Sequence, residues 1–274
     1  MEYGISLNSV VPVRSEPSHT STMVTQILFG EHFRVTEQRP EWLRVKLAYD
    51  HYEGWVDTIQ VTPVSEAEYH RFDQADPVVS TGLIQPVRRE SSGETIPIVM
   101  GSSLPGLNKN RFTVGNDTFL YDGPATGIVA GDALPATTDP GALTARIIGD
   151  ARRYLLAPYL WGGRSPFGLD CSGFVQIVFK INHIKLLRDA CQQAEQGSLV
   201  PWLAEAVPGD LAFFDNKLGA ITHVGLLIDS RHIIHCSGNV HIDTVDHEGI
   251  FNQDQNRYTH HLRLIRRLIG TELK

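Results

Sequence analysis

The segment Tyr159-Leu160-Trp161-Gly162-Gly163-Arg164-Ser165-Pro166-Phe167-Gly168-Leu169-Asp170-Cys171-Ser172-Gly173-Phe174 sets a cysteine where an apolar helical pattern begins. Phe174, Val175, Val178 and Phe179 carry that pattern and predict a helix over 171–181. In the first turn of a helix, unpaired backbone N–H groups and the helix dipole favour the thiolate, the form that attacks a carbonyl carbon. A cysteine nucleophile also needs a base, and the base needs a group to orient it. Two strand-like runs offer those parts: Thr222-His223-Val224-Gly225, and Ile233-Ile234-His235-Cys236-Ser237. His223 lies 52 residues beyond Cys171 and His235 a further 12, so only the fold can unite the three. A hairpin turning at Asp229-Ser230-Arg231 sets the two imidazoles side by side. Taken singly, a free cysteine is more often a small buried hydrophobe. Asp170 is equally suited to capping the helix that follows it.

The elements that must position these residues follow from periodicity. Leu143, Ile147, Ala151, Tyr154 and Leu155 are spaced for an amphipathic helix over 141–156, and strands are expected at 210–214, 221–228, 232–235 and 262–267. Helices followed by antiparallel strands indicate an α+β domain over 139–274. The first 62 residues instead show short β-type runs broken by turn residues, as in a small barrel. Their order, Val13-Arg14-Ser15-Glu16-Pro17-Ser18, Gly30-Glu31, Glu41 to Val45 and Glu53-Gly54-Trp55-Val56, resembles a bacterial SH3-type domain. Such domains usually carry a small turn residue where this chain has Glu16. Residues 63–76 read as a polar linker with a helical turn, and 77–138 as a second SH3-like unit ending in a linker rich in Gly and Pro.

The 274 residues are 42% hydrophobic and 20% charged, an ordinary globular balance with material for more than one domain. A net charge of -7 without a basic block argues against nucleic acid or anionic lipid as partner. No run reaches the roughly 18 apolar residues of a membrane span. Three cysteines without a C-x-x-C pair fit neither a disulfide framework nor a structural zinc site. Met1-Glu2-Tyr3-Gly4 begins no secretory signal, so a cytoplasmic location is expected, with a monomer favoured and no metal or organic cofactor.

Four elements, Trp161 to Gly163, Asp170 to Phe174, Pro208 to Leu211 and His223 to Gly225, reproduce W-G-G, D-C-S-G-F, P-G-D-L and H-V-G in order. In these the chain resembles the NlpC/P60 cysteine peptidases. With SH3-like units in front, it is most similar to their YkfC-like branch of γ-D-glutamyl-L-diamino acid endopeptidases. The resemblance implies a papain-like α+β catalytic domain behind two all-β SH3-like barrels. It makes Cys171 the nucleophile, His223 the general base and His235 the polar group that fixes the base. Tyr159 then helps bind the oxyanion. Asp170 and Ser172 hold the substrate's amino-terminal residue, Trp161 walls the pocket, and Glu16 and Tyr52 from the first SH3-like domain close it on the free amine. The implied substrate is a murein tri- or tetrapeptide with a free amino-terminal L-Ala, cut during cell-wall peptide recycling. Two rival readings use the same sequence: an extracellular peptidoglycan hydrolase anchored by SH3-like domains, and a wall-binding protein without catalysis.

Overall fold

The structure, a computed structural model, describes residues 1–75, 78–126 and 139–270. It divides into two units, Met1–Ala136 and Thr137–Lys274.

In the first unit, alternating apolar residues form seven short strands: β1 (Tyr3–Ile5), β2 (Val10–Arg14), β3 (Met23–Leu28), β4 (His32–Gln38), β5 (Trp42–Leu47), β6 (Glu53–Asp57) and β7 (Thr62–Val64). They make one antiparallel sheet in the order β3-β2-β6-β5-β4-β1-β7. Val11, Val13, Phe33, Leu43, Val45 and Val56 build its core. Of the expected linker 63–76, residues 63–75 are described and are more structured than their polarity suggested. Strand β7 runs into α1 (Glu66–Gln74), whose capping box pairs Ser65 with Glu68 and ties off the first orphan amides. Most of that helix faces solvent, and Phe72 is its one buried side chain.

Six further strands follow: β8 (Val79–Ser80), β9 (Ile84–Arg89), β10 (Thr95–Val99), β11 (Arg111–Val114), β12 (Asp117–Leu120) and β13 (Ala125–Thr126). They form a four-stranded sheet, β10-β9-β12-β11, and a β13-β8 pair. Ile5 and Phe29 from the first sheet region share a core with Val87, Ile98, Phe112 and Phe119. The two sheets are therefore one packed body and not two beads. Gly30 marks the junction: its φ is +74°, and a Cβ there would lie 1.9 Å from the Ser103 carbonyl oxygen. The expected linker at the end of 77–138 falls largely outside the described residues.

The second unit opens with α2 (Pro140–Arg152), capped by Asp139 with Pro140 in the first turn. It ends four residues before the expected 156, and Leu156 turns the chain in a left-handed conformation at φ 69°. A small pair, β14 (Arg164–Ser165) and β15 (Gly168–Leu169), leads into α3 (Cys171–Lys180), then α4 (Ala190–Gln193). Every residue of α3 is buried, so the helix is held by packing along its whole circumference and not by one apolar stripe. Against it lies an antiparallel sheet of β16 (Ser198–Val200), β17 (Leu211–Asp215), β18 (Ile221–Leu227), β19 (His232–Ser237), β20 (Asn239–Val245), β21 (Gly249–Asn252) and β22 (Arg257–Arg267). The order is β16-β22-β17-β18-β19-β20-β21, and β22 is long enough to pair with β21 as well. The four expected strands are all present. Strands β16, β20 and β21 were not foreseen; β16 and β21 span only three and four residues.

Candidate active site

Cys171 is the first residue of α3, and Asp170 is its N-cap, accepting from the Gly173 N–H at 2.7 Å. The helix start abuts β18 on either side of His223. Cys171 Sγ lies 4.0 Å from the Thr222 carbonyl and accepts from the Val224 N–H. The expected hairpin forms, pairing Gly225 with His235, so His223 sits one pleat along on the same face. A Cβ on Gly225 would come within 2.9 Å of the His235 Cβ. The glycine of H-V-G therefore clears room for the second imidazole, which meets the first with His223 Nε2 and His235 Nδ1 2.9 Å apart.

The electrostatics modify one expectation. Burial, and then the Asp170 carboxylate, push the Cys171 thiol up to about 11 and outweigh the lowering by nearby backbone amides. Burial and the neighbouring imidazoles His235, His260 and His241 hold His223 well below the usual histidine range. Burial therefore favours the neutral thiol at Cys171 and the neutral imidazole at His223. Tyr159 is raised to about 12 by burial and then by the proximity of Cys171 and Asp170, so its hydroxyl keeps its proton and is available as a donor.

Asp170 and Ser172 do more than the cap explains. A side chain that sequence reasoning missed, Arg188, is 1% exposed and clamps Asp170 through both terminal nitrogens, at 3.0 Å and 2.6 Å. The same guanidinium donates to Ser172 Oγ at 2.9 Å, and Ser172 Oγ donates to Asp170 Oδ1 at 3.3 Å. The Gly162 N–H donates to Asp170 Oδ2 at 2.8 Å. This bidentate fork fixes the carboxylate of the residue that precedes Cys171. Nothing in the segment around Arg188 signals that role. The glycines before the cysteine likewise serve internal packing: a Cβ on Gly163 would lie 2.3 Å from the Gly168 carbonyl oxygen, and one on Gly168 would strike Leu160.

Trp161 is 62% exposed on the loop leading to Gly162. In the first unit, Glu16 is exposed in the turn after β2, and Tyr52 is partly buried against the core of its own sheet. Cys236 is buried and donates to the Leu169 carbonyl, as a packing residue does, whereas Cys191 is exposed. His260, which sequence reasoning did not single out, stacks on His223 with ring centroids 4.1 Å apart. His235, His241 and Asp243 bring three donor atoms of metal-ligand type within 4.8 Å of one another, a grouping that appears only once β19 and β20 pair. Hydrogen bonds among these side chains account for the grouping.

Residues 157–263 match the model of the NlpC/P60 family, and residues 13–61 match the bacterial dipeptidyl-peptidase Sh3 domain. A γ-D-glutamyl-L-lysine dipeptidyl-peptidase of Bacillus subtilis (strain 168) is 32% identical over 77% of this chain and 71% of its own length. This chain belongs to the NlpC/P60 family. Dipeptidyl-peptidase 6 of Lysinibacillus sphaericus is 27% identical over 88% of this chain and 91% of its own. The crystal structure of an NlpC/P60 family protein from Bacillus cereus superposes with a TM-score of 0.80 at 20% identity, covering 98% of this chain and all of that one, which shows a shared fold. The D-C-S-G-F element with Cys171 and the H-V-G element with His223 both lie within the matched residues.

Proposed function

We propose that this NlpC/P60 peptidase hydrolyses the γ-D-glutamyl to diamino acid bond of murein peptides that carry a free amino-terminal L-Ala, and that it does so in the cytoplasm during cell-wall peptide recycling. The observation that carries this reading is the 32% identity, across most of both chains, to a γ-D-glutamyl-L-lysine dipeptidyl-peptidase. The site geometry supplies a route. As Cys171 Sγ bonds to the γ-carbonyl carbon, its proton passes to His223 and the carbonyl π pair moves onto oxygen. The Cys171 backbone N–H and the Tyr159 hydroxyl stabilise that oxyanion. Collapse breaks the C–N bond, His223 protonates the leaving amine, and water then attacks the thioester to release the dipeptide and restore the thiol.

Asp170 is already neutralised by Arg188, so in this proposal it and Ser172 shape the pocket while selectivity for the free ammonium falls to Glu16 and Tyr52, which enter on the resemblance alone. A papain-like course of the catalytic domain and an SH3-like second sheet complete the reading. The test is a panel of L-Ala-γ-D-Glu-L-Lys, its diaminopimelate counterpart and the N-acetylated forms, with products identified by mass spectrometry. Release of L-Ala-γ-D-Glu from free peptides, with acetylated ones cut at least about tenfold more slowly through loss of a charge pair, is the expected result. Comparable kcat/KM for free and acetylated peptides overturns the amine selectivity, and cleavage at any other bond overturns the substrate.

A further inference from the structure

His235 is buried between two partners of different kinds. Its Nδ1 meets His223 Nε2 at 2.9 Å, and its Nε2 lies 3.4 Å from Asp243 Oδ2. Burial holds His235 neutral by lowering it from the usual histidine range. A neutral imidazole carries one proton, on one nitrogen or the other, while a carboxylate can only accept. Burial alone would raise the Asp243 carboxyl, but hydrogen bonds from His235 and Asn252 prevail and keep it below the usual carboxylate range. With Asp243 ionised, the His235 proton belongs on Nε2. Nδ1 is then an acceptor, His223 Nε2 must donate to it, and the free lone pair of His223 falls on Nδ1. The opposite tautomer of His235 donates to His223 Nε2 and forces the proton of the base onto Nδ1, where it blocks proton removal from the nucleophile.

We infer that Asp243 is a positioning residue of this peptidase, a fourth member behind Cys171, His223 and His235 that selects the tautomer of His235 and thereby the basic nitrogen of His223. The fold holds Asp243 to that task. It lies two residues beyond His241, which is directly opposite His235 across β19 and β20. Its Oδ2 also lies 3.2 Å from His241 Nε2, whose Nδ1 faces the Asn239 carbonyl at 2.9 Å, and Asn252 Nδ2 on β21 reaches both oxygens, at 3.5 Å and 3.2 Å. Among the described residues Asp243 is the one hydrogen-bond partner of His235 Nε2. The ring of His260 also faces His235, 5.8 Å away between centroids, and brings no carboxylate.

The inference rests on the peptidase reading of Cys171 and His223, and its first test needs neither substrate nor variant. In protein labelled with ¹⁵N-histidine, two-bond ¹H–¹⁵N correlations report which ring nitrogen of His235 is protonated. Protonation at Nε2 is expected, and protonation at Nδ1 overturns the inference. The second test is kinetic. Asp243→Ala should lower kcat about 10- to 100-fold, less than the ~10²–10⁴ that a positioned base contributes, with KM within about twofold. Asp243→Asn, whose amide oxygen can accept from His235, should recover part of that loss. A folded Asp243→Ala protein with wild-type kcat overturns the inference and leaves the peptidase intact. Failure of every γ-D-glutamyl peptide as substrate instead overturns the proposed substrate while the tautomer remains readable.

Discussion

The start of α3 and the histidine-bearing face of β18–β20 solve opposite electrostatic problems within one site. At α3 a full negative charge, Asp170, is buried and locked by a bidentate guanidinium and two backbone amides, so nothing there is free to move. On the sheet, His223, His235 and His260 are packed together as neutral rings, and the Asp243 carboxylate stands two hydrogen bonds away from His223. A charge that only positions atoms tolerates burial if every lone pair is answered. A proton that must transfer needs groups held close to neutrality, because a salt bridge to the base would trap it in the wrong state. The site combines rigidity on the helix side with proton mobility on the sheet side.

This contrast is exposed to several measurements. Cys171→Ala should lower turnover of a γ-D-glutamyl peptide by ~10³ or more with the thermal midpoint nearly unchanged, since the lost group is small and its role chemical; residual turnover above about a hundredth would place the nucleophile elsewhere. Arg188→Ala should cost roughly 3–5 kcal/mol in denaturant unfolding, because it strands a buried carboxylate. A double variant, Asp170→Asn with Arg188→Met, should recover much of that, and a single-variant loss below about 1 kcal/mol would show that the helix side is not locked by this pair.

The sheet side should reveal itself through pH. His260 is pushed down to about 4, chiefly by burial, and His223 and His235 are also lowered. With folded values below the unfolded one near 6.5, the native state binds fewer protons across that window. Stability is then complete above about pH 6.5 and declines as pH falls towards about 4. Urea midpoints at several pH values check this, and His260→Phe should flatten the slope; a slope unaltered by that change would remove His260 from the neutral cluster. The smallest effect is expected for Ser172→Ala, about 0.5–1.5 kcal/mol, because Arg188 keeps its two bonds to Asp170 when the hydroxyl is gone. A loss as large as that of Arg188→Ala would make the hydroxyl, not the ion pair, the lock.

Local order carried much of this protein in one dimension. The run from Asp170 to Phe179 announces a capped helix with a cysteine in its first turn, since cap chemistry and a 3.6-residue period act within a few residues. The β18–β19 hairpin and the pairing of His223 with His235 were equally legible, because a short turn and period-two alternation leave little freedom of register. Short β-type runs broken by turn residues also marked the first 62 residues as a small β domain. The rest depended on contacts that local pattern does not encode. Arg188 reaches Asp170 from 18 residues away in sequence, Asp243 reaches His235 only through the β19–β20 register, and His260 arrives on β22. Strand-like runs on either side of a polar stretch suggested two SH3-like units in the first half, and what local pattern did not reveal is that Ile5 and Phe29 join the core of the second sheet. The amino-acid order by itself determined which groups could do chemistry. Tertiary packing alone decided their protonation, because burial and neighbouring charges set a pKa and both are properties of the folded chain.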